Sequence, residues 1–526
     1  MKVINKKLLI AIIAVILAIV FFSYSPIITY DTSHYLWLEN MLTPNDTFAN
    51  WDVARGIIFP LIIFCSNSIF GRNADGILML MFIFYAIMIT FSCLIFKKVN
   101  KNAEIFNTKT KKISLACIVT ISIILNPIIF GYYHTLLTEF VAITIAVVTC
   151  YLAWNWTEID FKNNKLKYIL YTAIFAIIIA FAWHLKQPYV GTALFPVIIA
   201  TIVSISREFN WKNILQRTAT IIICLITLVI SMLLWNKLLK IQNVKISADR
   251  ESSGFLSSGL INGITQIQEV ARKENIEVDK IENYKISQKN KQEIKNIIEG
   301  KSKYKNFILY ENKNEKAKDF VIFMNSENLS VTNSMQLVFK VFFTSPTTLI
   351  KSYTNNYLCI SDILRIYFIG VTPKPTTDFT IFGTAENAVI GLRTYNEQLT
   401  NVFPTSEKLQ VYAEPYASDI EPIRIINVLM KSLQNIIILI TKISFLILPL
   451  VLIICIIINV KSRKKMTDLK KKEFNIVIIL LSFSLLHVLL HSTLGAIIDR
   501  YTVPAMIPMF IAYIIIFYNI CNTKKF

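Results

Sequence analysis

The feature that most constrains this chain is a set of uninterrupted apolar runs, each roughly 17–25 residues long, the length an α-helix needs to cross a bilayer. Ten can be drawn: Leu8–Thr29, Gly76–Phe96, Ile113–Phe130, His134–Trp154, Tyr168–His184, Tyr189–Ile205, Thr218–Leu239, Ile436–Val460, Phe474–Leu490 and Tyr501–Ile520. With 54% hydrophobic and only 17% charged residues, the composition lies far from the soluble average. The expected fold class is an α-helical polytopic membrane protein with about ten transmembrane helices, interfacial helices, and one large external α or α+β segment. The run Ile57–Phe70 is shorter, holds Pro60, and suits a helix lying in the interface.

The formal charge of +20 would point to nucleic acid in a soluble chain. Here many of the lysines cluster in short loops between apolar runs, as in "KKVNKNAEIFNTKTKK" (Lys97–Lys112), "SREFNWKNILQR" (Ser206–Arg217) and "KSRKKMTDLKKKE" (Lys461–Glu473). With the two termini, these loops fall on one side of a ten-span count, which the positive-inside rule makes cytoplasmic. The N-terminal run is too long for a cleaved signal peptide and lacks a small-x-small site, so it reads as an uncleaved first span. Three regions follow: an N-terminal membrane domain (1–239), a large extracytoplasmic segment (240–420) and a C-terminal membrane domain (421–526). Long segments translocate largely regardless of their own charge. The eight cysteines show no C-x-x-C and no paired spacing, so neither a disulfide framework nor a zinc knuckle is expected.

All five histidines (His34, His134, His184, His487, His491) map to outer loops or outer ends of spans. Asp31, Asp52, Arg55, Glu139, Lys186, Asp499 and Arg500 join them. Ionisable groups near bilayer depth are costly and commonly face a wet cavity, so this clustering predicts one that opens outward. Each residue also has a plainer role. Asp31 can cap a helix, Lys186 can snorkel, and Glu139 can lock two helices together. Tyr30, Tyr35, Trp37 and Trp51 read as an interfacial aromatic belt. His487 and His491, at i and i+4, are an alternative metal pair lacking the usual glutamate. No nucleotide-binding or nucleophile-elbow motif is present.

The order of motifs resembles the GT-C superfamily of membrane glycosyltransferases, in particular bacterial mannosyl- and arabinosyltransferase-like members. The matching residues are an Asp just after the first span in "YDTSHYLWLEN", Arg-x-x-x-Pro in "ARGIIFPLIIF", and an acid in "LLTEFVAI". Further along come a basic residue then Pro in "AWHLKQPYVG" and "DRYTVPAMIPMF" near the end. The resemblance covers roughly Met1–Leu239 and Phe474–Phe526 and leaves the external segment unmatched.

It implies transfer of a sugar, by inverting displacement, from a polyprenyl-phosphate donor to a glycan, lipid or protein acceptor in the cell envelope, at a bacterial cytoplasmic membrane. Asp31 would be the catalytic base; Arg55, Lys186 and Arg500 would hold the donor phosphate. His34, Asp52, His134, Glu139, His184, Asp499 and Tyr501 would line the substrate cavity. No organic cofactor is implied, and a divalent metal is left open. The competing expectations are an O-antigen-type polymerase or ligase, and a transporter or flippase of lipid-linked saccharides.

Overall fold

The computed structural model describes residues 6–24, 30–42, 51, 55–71, 74–103, 108–207, 209–242, 424–462, 468–494 and 499–523. Most of the proposed extracytoplasmic segment lies outside these residues. The described chain is helical, with no β-strand. The helices are α1 (Lys6–Phe22), α2 (Tyr30–Asn40), α3 (Ile58–Phe70), α4 (Ala74–Ala103), α5 (Lys109–Val119), α6 (Pro127–Tyr133) and α7 (Glu139–Thr157). They continue as α8 (Lys165–Leu185), α9 (Val190–Arg207), α10 (Trp211–Ile241), α11 (Arg424–Ser462), α12 (Asp468–Leu494) and α13 (Met506–Thr523). Short 3-10 segments at Gln187–Tyr189 and Asp499–Ala505 lead into α9 and α13.

Eight of these helices are long and apolar enough to cross a membrane, and the bent pair α5–α6 makes a ninth if counted as one span. Their burial separates centre from rim. The best-covered is α7, with 78% of its apolar window buried, against 17% for α10 and 28% for α11. The outward faces of α10 and α11 present Ile222, Leu225, Leu233, Leu439, Leu450 and Ile453 in long apolar stripes. Such a surface suits hydrocarbon and is disfavoured in water.

Two ends of the bundle can be told apart by the contacts between helix termini. At one end, Lys98 near the end of α4 pairs with Glu158 after α7 at 2.9 Å and stands 4.1 Å from the Trp154 ring centre. There too Arg217 of α10 donates to the Trp156 and Ile159 carbonyls at 2.9 and 2.8 Å, and Tyr518 of α13 donates to Ser114 of α5 at 2.7 Å. The described parts of the lysine-rich stretches adjoin these contacts, and this end is called here the basic end. At the opposite end, His134 after α6 meets the Phe21 carbonyl of α1 at 3.0 Å, and Thr32 of α2 donates to the Leu136 carbonyl at 2.8 Å.

The third apolar run of the sequence is not one straight helix. A π-turn over Thr120–Ile124, closed by the Leu125 amide on the Thr120 carbonyl at 2.6 Å, ends its first part. Asn126 then caps α6, accepting from the Ile128 and Ile129 amides, and Pro127 takes the first helical position. The two parts meet at 50°. The physical cause is in the sequence: a residue before proline disfavours helical backbone, so Asn126-Pro127 stops one helix and starts another.

Candidate functional site

The opposite end of the bundle gathers residues from four separated stretches of chain. The first is α2. Asp31 is the second residue of this helix, so it lies inside the first turn and not ahead of it as a cap. Thr32 anchors the turn to the chain between α6 and α7. Tyr35 is buried, packed edge-on against Phe59 at 4.8 Å. Its hydroxyl accepts from Arg55 Nη1 at 3.0 Å, and the guanidinium stands 5.2 Å from its ring centre.

The second stretch carries Arg55. Trp51 Nε1 donates to the Arg55 carbonyl at 3.0 Å, and the Trp51 ring meets Trp235 of α10 edge-on at 5.5 Å. Main chain and side chain of Arg55 are therefore each held by an aromatic residue. Tyr35, Trp37 and Trp51 are all buried. This corrects the aromatic-belt expectation for them: they pack inside the protein, at the site. Gly56 comes next, and here the absence of a side chain is required. A Cβ would sit 1.8 Å from the His184 carbonyl oxygen, a backbone atom that cannot swing away.

That close approach brings in the third stretch, the C-terminus of α8. His184 Nε2 is 3.2 Å from Ser231 Oγ of α10, and its ring lies 6.3 Å from Trp235. Lys186 follows in extended conformation and is nine-tenths buried. Its ammonium stands 4.6 Å from the centre of the Tyr501 ring, over its face, within cation–π range. Pro188 in the next 3-10 turn ends the extended piece and leads into α9.

Tyr501, in the fourth stretch, is enclosed on several sides. Tyr189 meets its ring at 90° and 5.7 Å, and His491 lies 5.5 Å away. Its carbonyl faces His487 Nε2 at 2.8 Å. A carbonyl only accepts, so His487 carries its proton on Nε2. The His487 and His491 rings lie edge-to-face 4.6 Å apart. Among the described residues no group of three His, Cys, Asp or Glu side chains converges as metal ligands do. With Nε2 of His487 directed at Tyr501, this pair serves to position the tyrosine.

No family model, curated protein or solved structure matches the chain.

Glu139 and His134 differ from their sequence-based placement. Glu139 falls inside the expected span His134–Trp154, yet it is the first residue of α7 and fully buried, with Thr138 Oγ1 donating to Oε2 at 3.3 Å. The Asp499–Ala505 segment packs against α7. His134 is fully buried between the Phe21 and Phe130 rings at 4.1 and 4.3 Å. Its two nitrogens face main-chain carbonyls, Nδ1 that of Phe130 at 2.8 Å and Nε2 that of Phe21 at 3.0 Å. Both ring nitrogens are taken by main-chain carbonyls, which leaves neither for a substrate. His134 thus joins α1 to α6.

Asp52 lies outside the described residues, as do the side chains of Asp31, His34, Asp499 and Arg500. The chain nonetheless brings Arg55, His184, Lys186 and Tyr501 to one end, with α2 beside Arg55 and the Asp499–Ala505 segment carrying Tyr501. The residues that sequence reasoning missed are Ser231 and Trp235 of α10, and Tyr189. Their only signal was position: they occupy the same end of their helices as His184 and Lys186.

Proposed function

We propose that the chain is an integral membrane glycosyltransferase using a polyprenyl-phosphate-linked sugar, with its site at the end of the bundle away from the lysine-rich loops. The observation that carries this reading is the pairing of two cationic side chains with aromatic supports at that end. Arg55 is held by Tyr35, and Lys186 lies over Tyr501. Cations held against aromatic faces keep their charge while shedding water, which suits them to receive a phosphate.

The topology that fits has ten crossings: the eight long helices, the bent pair, and α1. Ser114 at the start of the bent pair meets Tyr518 at the basic end, and His134 after it meets Phe21 at the other, so the pair runs from end to end. Both termini then lie with the basic loops in the cytoplasm, and the segment between α10 and α11 lies outside.

In the reaction, the Asp31 carboxylate takes the proton of an acceptor hydroxyl as its oxygen attacks the anomeric carbon. The bond from that carbon to the lipid phosphate breaks on the far side, inverting the centre. Lys186, Arg55 and Arg500 stabilise the charge that collects on the departing phosphate. Glu139, at the α7 terminus, orients the sugar or acceptor. The external segment selects the acceptor.

One observation favours the transport alternative: the broken pair α5–α6, since transporters use interrupted helices. The break here is closed by the Asn126 cap and by Tyr85, which donates to the Ile124 carbonyl at 2.5 Å. It is a satisfied bend, which favours the transferase. An assay of purified protein with a panel of polyprenyl-phosphate sugars tests the choice. Transfer from at least one donor supports it, and movement of lipid-linked saccharide across the bilayer without transfer supports the alternative.

A further inference from the structure

Lys186 and Tyr501 come from distant parts of the chain, and both stretches rest on one helix, α12. On the Lys186 side, a Cβ at Gly191 would stand 3.2 Å from Leu490 Cδ2, so the start of α9 lies directly against α12. On the Tyr501 side the contact is polar. Ser484, His487 and His491 follow one another at i, i+3 and i+7 on α12, which places them on one face. All three are buried. His487 Nε2 donates to the Tyr501 carbonyl at 2.8 Å, Ser484 Oγ lies 3.0 Å from the Ala505 carbonyl, and the His491 ring lies 5.5 Å from that of Tyr501.

The prolines of "YTVPAMIP" explain why those carbonyls are open to α12. In a 3-10 helix each carbonyl accepts from the amide three residues on. For Tyr501 that residue is Pro504, which has no amide hydrogen, so the turn cannot satisfy this carbonyl from within. His487 supplies the missing donor. Pro508 stands in the same relation to Ala505, whose carbonyl faces Ser484. A buried carbonyl left without a donor is costly, so the His487 bond fixes where the main chain of Tyr501 sits, and through it the ring. Tyr189 closes another side of that ring at 90°, and the Lys186 ammonium stands 4.6 Å over its face.

We propose that His487 is a positioning residue for the donor phosphate: it supplies the hydrogen bond that Pro504 withholds from Tyr501, and so holds the ring that supports the Lys186 ammonium. This role depends on Lys186 binding phosphate as proposed above. His487 acts only through Tyr501. Its hydrogen bond is separable from its bulk, because an amide hydrogen at position 504 would satisfy the same carbonyl from within the turn.

The test uses the full-length protein in detergent, offered bare polyprenyl phosphate and uncharged polyprenol of equal length, with retained lipid read by native mass spectrometry at equal folded concentration. Wild type is expected to prefer the phosphate, and Lys186→Gln to lose that preference. His487→Leu should weaken retention of the phosphate about tenfold, with polyprenol unchanged, the size expected for one lost buried hydrogen bond. His487→Gln, whose side-chain amide can donate in place of Nε2, should stay within about twofold of wild type. His487→Leu/Pro504→Ala should recover most of the loss, since alanine restores the amide hydrogen. A packing role for His487 predicts no such recovery. Where the Leu variant folds poorly, His487→Asn, whose amide stops short of the carbonyl, should show the same loss. Equal phosphate retention by wild type and His487→Leu, or no recovery in the double variant, would overturn the proposal while leaving Lys186 in its role. Equal retention by wild type and Lys186→Gln would instead overturn the phosphate reading of Lys186, and the role of His487 with it.

Discussion

Lys186 and Tyr501 are more than three hundred residues apart in sequence and 4.6 Å apart in space. A lysine at the end of a span often snorkels to water, but this one is nine-tenths buried over an aromatic face. The contact separates two functions of the ring. Tyr501→Phe keeps the face and should leave donor affinity within about twofold, whereas Tyr501→Leu removes it. Cation–π contacts contribute about 0.5–2 kcal/mol, so Leu should weaken donor binding by about 2–30-fold in a titration with lipid-linked sugar. Lys186→Gln removes the charge itself and should lower kcat by about a hundredfold. At the basic end, Arg217 is structural. It donates to two carbonyls while stacked on Trp156, and charged hydrogen bonds contribute about 1.5–3 kcal/mol each. Arg217→Ala should therefore lower the melting temperature in detergent sharply, and Arg217→Lys should restore it only in part because it lacks the planar fork.

At the scale of elements, the long helices were legible because hydrophobic length is a local property. The runs at Tyr168–His184 and Thr218–Leu239 match α8 and α10 closely, apart from the polar turns that extend each helix. The interfacial run at Ile57–Phe70 emerges as α3, with Pro60 in its first turn where a missing amide hydrogen costs little. What length could not show was interruption. Asn126-Pro127 sits within an apolar run, and its effect on α5–α6 depends on two residues and not on the average of twenty. Asn126→Ala should destabilise the start of α6 by about 1 kcal/mol, read as a small fall in melting temperature with the span still inserted. The site was legible only as a list. Sequence showed which end of each helix carried Arg55, His184, Lys186 and Tyr501, because topology follows from loop charge. Which residue supports which depends on packing between distant helices. Tyr35 and Trp51 therefore read as belt residues until their burial was seen. Gly56 gave no signal either, since only the His184 carbonyl explains it. Gly56→Ala should force α3 away from α8, and a lower yield of folded protein on size exclusion would report it.

For the whole molecule, orientation is the claim on which the site depends, because a lipid-linked donor is used from one leaflet. On a cysteine-free background, Ser302→Cys in the segment between α10 and α11 should react with a membrane-impermeant maleimide in intact cells. Thr467→Cys, between α11 and α12 in sequence, should react only after the membrane is opened. The reverse pattern would invert the molecule and move the proposed site to the cytoplasmic face. With orientation set, the site proposed around Arg55 and Lys186 lies at the opposite end of the bundle from Lys98 and Arg217.

The most direct test of the account is transfer from polyprenyl-phosphate sugars by wild type and by Asp31→Asn at equal folded concentration. Asn keeps the size of the side chain and removes the base, so the account predicts that wild type transfers sugar and that the variant is slower by about a hundredfold or more, with donor affinity retained. Full activity in Asp31→Asn, or no transfer by wild type from any donor, would contradict it.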